Sequence, residues 1–140
     1  MDRSPLSPMF NPESVAVFGA SESKTSVGGR VFSNILRAGY GGELIPVNPK
    51  YESVHGMTCV PDISRLARPA DLAVIATPAA VVPEIIRQCG MAGTTNAIVL
   101  SAGFGEGGSP GQDNARKLEM AARKAGVRYL GPNCVGMVRP

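Results

Sequence analysis

Five short apolar runs, each followed by a glycine, a proline or another small residue, constrain this chain more than any other feature. They are residues 14–20 (SVAVFGA), 43–47 (ELIPV), 71–77 (DLAVIAT), 96–100 (NAIVL) and 127–130 (VRYL). Runs this short and this apolar fit strands buried on both faces, which is how parallel strands sit in a sheet. Between them, apolar residues recur at helical spacing. Val27, Val31 and Ile35, with Phe32 and Leu36 beside them, predict a first helix capped by Ser26 and ending near Gly39. Val82, Ile85, Ile86 and Cys89 predict a second over residues 81–90. Ala115, Leu118 and Ala122 predict a third over 112–125, with Gly126 as its stop. Strand and helix in alternation imply an α/β fold: a Rossmann-like, doubly wound, mainly parallel sheet in three layers, with ligands at the strands' carboxyl ends.

Other segments are weaker. Pro5, Pro8 and Pro12 make residues 1–12 an extended arm leading into a domain over 13–140. Pro46 places the second run near a sheet edge or at a strand's end. Residues 51–69 have little periodicity and suggest only a short helix after Pro61 and Asp62, through Ile63 and Leu66. Residues 103–111 (GFGEGGSPG) read as a loop too rich in glycine to be regular.

Charge and composition exclude several functions. Fourteen basic and 11 acidic residues are mixed along the chain without a basic run, and tryptophan is absent, which argues against a nucleic-acid surface. Cys59, Cys89 and Cys134 are widely spaced with no CxxC pair, so neither a disulfide framework nor a zinc site is indicated and a reducing cytoplasm is expected. No stretch is apolar for long enough to span a membrane. No acid–base pair, triad or metal cluster is apparent, and the sole histidine, His55, is expected at the surface.

The informative residues fall at the carboxyl ends of the expected strands. Gly19, Ala20 and Ser21 leave the first strand, and Ser26, Val27 and Gly28 open the first helix, so backbone N–H groups and the helix dipole converge where an anion would sit. The segment GASESKTSVGG is wider than a GxGxxG fingerprint and contains Lys24, which favours a phosphate group of some bulk. After the second strand stand Asn48 and Lys50, where an NAD site would place a carboxylate for the ribose. A lysine there attracts a ribose phosphate, which coenzyme A carries on the 3′ oxygen and NADP on the 2′ oxygen. Thr77, Pro78 and Ala79 follow the third run, and Ser101, Ala102 and Gly103 the fourth; small residues there let a ligand lie close to the backbone. The last edge loop holds Asn133 and Cys134, and with no basic partner nearby in sequence Cys134 reads as an inert thiol.

Taken together, SVAVFGAS, SVGGRVFSNILRAGYGGELIPVNPKY, DLAVIATPA, IVLSAGFGEGG and GVRYLGPNCVG resemble the CoA-binding N-terminal domain of NDP-forming acyl-CoA synthetases. This is the family of ADP-forming acetyl-CoA synthetase and the succinyl-CoA synthetase α subunit, and the likeness runs over nearly the whole chain. The resemblance implies that residues 19–28 cradle CoA phosphates, that Lys50 meets a phosphate, and that residues 77–79 and 101–103 line the cofactor's path. Asn133 and Cys134 match the family's Asn-Cys turn near the thiol end. It further implies that CoA or acyl-CoA is the ligand and that other synthetase domains or subunits complete the reaction, in which acyl phosphate and CoA give acyl-CoA and a histidine outside this domain carries phosphoryl to ADP or GDP. On that basis the chain is expected to be the first domain of a longer protein, non-catalytic by itself. A homo-oligomer, an NADP-dependent oxidoreductase domain, and a CoA-sensing module, free-standing or attached to an acetyltransferase, remain open alternatives.

Overall fold

The computed structural model describes residues 11–104 and 109–131. Seven strands and three α-helices occur among them: β1 (Ser14–Phe18), α1 (Val27–Arg37), β2 (Glu43–Val47), β3 (Ser53–Val54), β4 (Met57–Thr58), β5 (Leu72–Ile75), α2 (Val82–Ala92), β6 (Asn96–Val99), α3 (Ser109–Ala125) and β7 (Arg128–Leu130). Five strands form one parallel sheet in the order β2-β1-β5-β6-β7. The chain winds outward from β1 to β2, then crosses back to β5. That reversal puts the switch point of the sheet between β1 and β5, where open α/β sheets leave a crevice for ligands.

Alternation along each strand sorts the core into two faces. Ala16, Phe18, Ala73, Ile75, Ala97 and Val99 meet Val82, Ile86 and Cys89 of α2 and Leu118 and Ala122 of α3. Val15, Val17, Leu44, Leu72 and Val74 point the other way, toward Phe32 of α1 and toward Val54 and Cys59. Helices therefore cover both faces, and the chain is the three-layer Rossmann-like α/β fold that its periodicity implies.

The structure departs from the periodicity in four places. In α1 the inward face is centred on Phe32, fully buried, together with Gly28 and Gly29, while Val27 is 51 % exposed. The two glycines let the helix lie against the end of β1, which rolls the apolar stripe away from Val27. Gly90 is not the end of α2; it lies within the helix because a Cβ there would collide with Ala125 of α3, and the helix stops instead at Gly93, in the left-handed region at φ 90°. Helix α3 begins at Ser109 rather than 112, and Pro110 is tolerated in its first turn because no helical hydrogen bond needs its N–H. Residues 53–58 form an antiparallel hairpin, β3-β4, that the sequence does not signal; its turn holds His55 at φ 50° and Gly56 at φ 78°.

Other expectations agree with the fold. Ser26 caps α1 by accepting from the Gly29 N–H at 3.0 Å. Asp62 opens a short 3-10 turn (Ile63–Arg65) by accepting from the Ser64 N–H at 2.9 Å. Pro46 lies in β2, at an edge of the sheet, where its carbonyl accepts from the Val60 N–H at 3.0 Å. Of the expected N-terminal arm, residues 1–10 lie outside the described residues; Pro12 accepts a hydrogen bond from the Tyr40 hydroxyl at 2.7 Å. No helix among the described residues is long and apolar enough to cross a membrane.

Candidate functional site

Strand β1 ends at Gly19, whose φ of 89° turns the chain out of the sheet while its N–H still reaches Val47 O at 3.0 Å. A Cβ at Gly19 would press on Ala76 O, so this turn needs glycine on both steric and conformational grounds. The chain then runs through Ala20–Ser26 to α1, held by its own hydroxyls. Ser21 Oγ, buried, accepts from the Ser23 N–H at 3.2 Å and lies 3.2 Å from Ser26 Oγ. Ser23 Oγ accepts from the N–H groups of Thr25 at 3.2 Å and Ser26 at 3.1 Å. A loop so cross-linked holds its shape without a ligand.

The close approach of α1 completes the cradle. A Cβ at Gly28 would fall inside the carbonyl of Gly19, and one at Gly29 inside the carbonyl of Ser23. First-turn N–H groups have no carbonyl within the helix; Ser26 accepts that of Gly29 and leaves those of Val27 and Gly28 without a protein acceptor among the described residues. Those two groups, the positive end of the helix dipole and exposed Lys24 are what an anion would meet.

Asn48 links this cradle to the next turn. Its Nδ2 donates to Ala20 O at 3.0 Å, and its Oδ1 accepts from the Lys50 N–H at 2.9 Å. Both ends of the amide are engaged within the protein, so Asn48 spaces the two turns. Lys50 is exposed and has no carboxylate partner among the described residues. Beneath this turn Cys59 donates to Asn48 O at 3.5 Å, and burial pushes its thiol up from the ordinary range.

The third and fourth turns adjoin. The Thr77 methyl lies next to Gly19, and a Cβ on Gly103 (φ 101°) would meet the Ala79 Cβ at 3.1 Å. Pro78 precedes a 3-10 turn, Ala79–Val81, that leads into α2. Ala102 is exposed, whereas Ser101 is 6 % exposed and its Oγ has no hydrogen-bond partner among the described residues. A buried hydroxyl without a partner costs about 1–3 kcal/mol, so Ser101 suits a ligand or water that satisfies it. The structure thus gathers residues 19–28, 48–50, 77–79 and 101–103 along one edge of the sheet; Asn133 and Cys134 lie outside the described residues.

Two residues at this edge, Glu22 and Asn114, escaped the sequence reading, and a third, His55, was read only as a surface residue. Glu22 accepts the His55 N–H at 2.8 Å and so fastens the cradle to the β3-β4 hairpin. His55, exposed as expected, stacks on Phe32 with ring centroids 6.0 Å apart. Asn114 of α3 donates to Gly103 O at 3.1 Å. Only the serines gave a signal, since Ser and Thr two to three residues apart favour local hydroxyl-to-backbone bonds. No group of three or more metal-ligating side chains occurs among the described residues.

Residues 13–140 match a family described as CoA binding domain. The chain is 38 % identical over 130 residues to acetate–CoA ligase [ADP-forming] I of Archaeoglobus fulgidus, covering 93 % of this chain and 19 % of that protein. It is 37 % identical over 129 residues to the acetate–CoA ligase [ADP-forming] II subunit alpha of Pyrococcus furiosus, covering 92 % and 28 %. Among solved structures, the dinucleotide-forming acetyl-coenzyme A synthetase 1 of Ca. Korarchaeum cryptofilum, in complex with phosphate and ADP, superposes with a TM-score of 0.85 at 36 % identity, over 91 % of this chain and 27 % of that one. The chain thus spans between about a fifth and a third of the length of these relatives.

Proposed function

Since the chain belongs to the CoA binding domain family, we propose that the carboxyl edge of its sheet holds the phosphorylated adenosine end of coenzyme A, and that it does so as one domain of an NDP-forming acyl-CoA synthetase. One observation carries the reading: Asn48 joins the amide-rich cradle of residues 19–28 to the turn that presents Lys50, so two anion-holding elements stand at a preset spacing. CoA and NADP each have a diphosphate and a separate ribose phosphate that suit both elements, and the family match favours CoA.

The features of this edge fit such a group. Val27 and Gly28 N–H groups and Lys24 take the diphosphate, while Lys50 takes the 3′-phosphate as a charge-assisted partner. Glycine at 19, 28 and 103 lets the turns and the start of α1 pack closely against one another, which brings their backbone groups together at this edge. Thr77, Pro78, Ala79 and Ala102 line the path beyond, and the Ser101 hydroxyl offers a hydrogen bond along it. Asn133 and Cys134 we assign to the thiol end of the path. When bound, CoA supplies the thiol that takes up the acyl group. The residues of this domain bind and orient, and none is assigned a proton-transfer role. Acyl activation and phosphoryl transfer belong to further domains or subunits, a reading supported by the relatives' names and by the fraction of their length that this chain spans. The free, buried thiols of Cys59 and Cys89 suit a reducing cytoplasm.

Titration calorimetry with CoA, dephospho-CoA, NADP and NAD tests the proposal. CoA is expected to bind most tightly, and Lys50→Ala to weaken it by about 1.5–3 kcal/mol, the scale of a hydrogen bond to a charged group, with dephospho-CoA little affected. Equal affinity for CoA and dephospho-CoA would remove the role given to Lys50, and tighter binding of NADP would replace the ligand.

A further inference from the structure

Away from the ligand edge, α2 and α3 leave an apolar trough on the outer surface. The larger hollow, of about 730 Å³, lies between α2 and α3; a second, of about 470 Å³, lies between α2 and the segment around the 3-10 turn Ile63–Arg65, and the two share Arg87 and Met91. Met91 is 76 % exposed and Met120 52 %, both lining the larger hollow, and Val81, 45 % exposed, immediately precedes α2. Three of the six large apolar side chains exposed among the described residues therefore lie on or next to these two helices, and two of them, Met91 and Met120, line one hollow. Methionines are flexible and polarisable, and they suit a surface that receives apolar side chains of another chain.

The rim has a sign. Arg68, Arg87, Lys117 and Lys124 line the hollows against two carboxylates, Asp62 and Glu84. Arg87 is paired with Glu84, and Lys117 with Asp113 at 3.1 Å. Arg68 and Lys124, one in each hollow, have no carboxylate partner among the described residues. A second copy of the chain suits this face poorly. An antiparallel α3 centred on Met120 would set Lys117 against Arg123 and Arg116 against Lys124, like charge on like charge.

We propose that the α2–α3 trough docks an acidic amphipathic helix of a partner polypeptide. Its apolar stripe fits between Met91 and Met120, and its carboxylates meet Arg68 and Lys124. No residue lining the trough is among those assigned to CoA, so the two proposals stand or fall separately.

The test uses two synthetic helical peptides with the same leucine stripe, one flanked by glutamates and the other by lysines. Binding is followed by fluorescence anisotropy and by methyl NMR of the chain labelled at its methionines. The glutamate peptide is expected to bind, shift the Met91 and Met120 methyls and weaken with salt, while the lysine peptide does not. The double variant Arg68→Glu/Lys124→Glu and the single variant Met91→Ser should each lower its affinity by about tenfold or more, with CoA affinity and thermal unfolding unchanged. Failure of the glutamate peptide to bind, equal binding of both peptides, or shifts confined to other methionines would overturn the proposal. So would self-association in sedimentation velocity that Met91→Ser abolishes, or capture by phosphatidylserine vesicles that Met91→Ser abolishes.

Discussion

At Gly28 a single hydrogen atom takes the place where any side chain would strike the backbone of Gly19. Gly28→Ala must push α1 off the end of β1, at a cost of about 1–3 kcal/mol for forcing volume into a packed contact. Because the displaced groups are the N–H donors of the cradle, CoA affinity should fall with stability. Gly41→Ala is the control, since nothing lies within 4 Å of a Cβ there and its φ is outside the left-handed region. Urea unfolding and calorimetry on both variants would separate the two, and a Gly28→Ala protein with native affinity would contradict the close approach. The need for glycine at 19 and 28 was legible from its place between an apolar run and a helix. The work of Asn48 was not: its side chain bonds to Ala20, 28 positions away, and a sequence shows no contact of that range.

Among the elements, α1 shows how periodicity can identify a helix and still misplace its face. Val27, Val31 and Ile35 have the right spacing, yet Phe32 is the residue wholly enclosed, because the glycines at 28 and 29 decide how the helix lies on the sheet. Phe32→Ala is expected to cost about 3–5 kcal/mol in urea unfolding, as for large-to-small changes in other cores. His55→Ala, which removes only the exposed ring stacked on Phe32, should cost much less; equal costs would mean that the phenyl ring is not the centre of this face. The β3-β4 hairpin stayed hidden for a different reason. Its strands are two residues each, too short to show alternation, and their place is set by contacts such as Glu22 with His55 rather than by local propensity. The spacing predicts the second helix over residues 81–90; it runs on to Ala92, and Gly90 within it serves helix packing.

Over the whole molecule, each face of the sheet guards one thiol by burying it. Cys89 is fully buried between sheet and helices, and desolvation pushes its thiol up to about 12. Cys59 is nearly buried on the opposite face and shifted in the same direction. Alkylation proceeds through the thiolate, so both should resist iodoacetamide at mildly alkaline pH in the native protein and react once it is unfolded. Mass mapping of each cysteine checks this, and rapid native labelling of Cys89 would mean that the α2–sheet contact opens readily. A mainly parallel sheet, both helical layers and four of the turns along the ligand edge followed from alternation of short apolar runs with helical segments; the strand order β2-β1-β5-β6-β7 is a finding of the structure alone.

The amide of Asn48, bonded on one side to Ala20 and on the other to Lys50, behaves as a ruler. If residues 19–28 and Lys50 hold the phosphates as proposed, the interval between the two turns is set before any ligand arrives, and selection rests on length as well as on charge. A nucleotide whose phosphates are set closer together or further apart would satisfy one end of the gauge and miss the other.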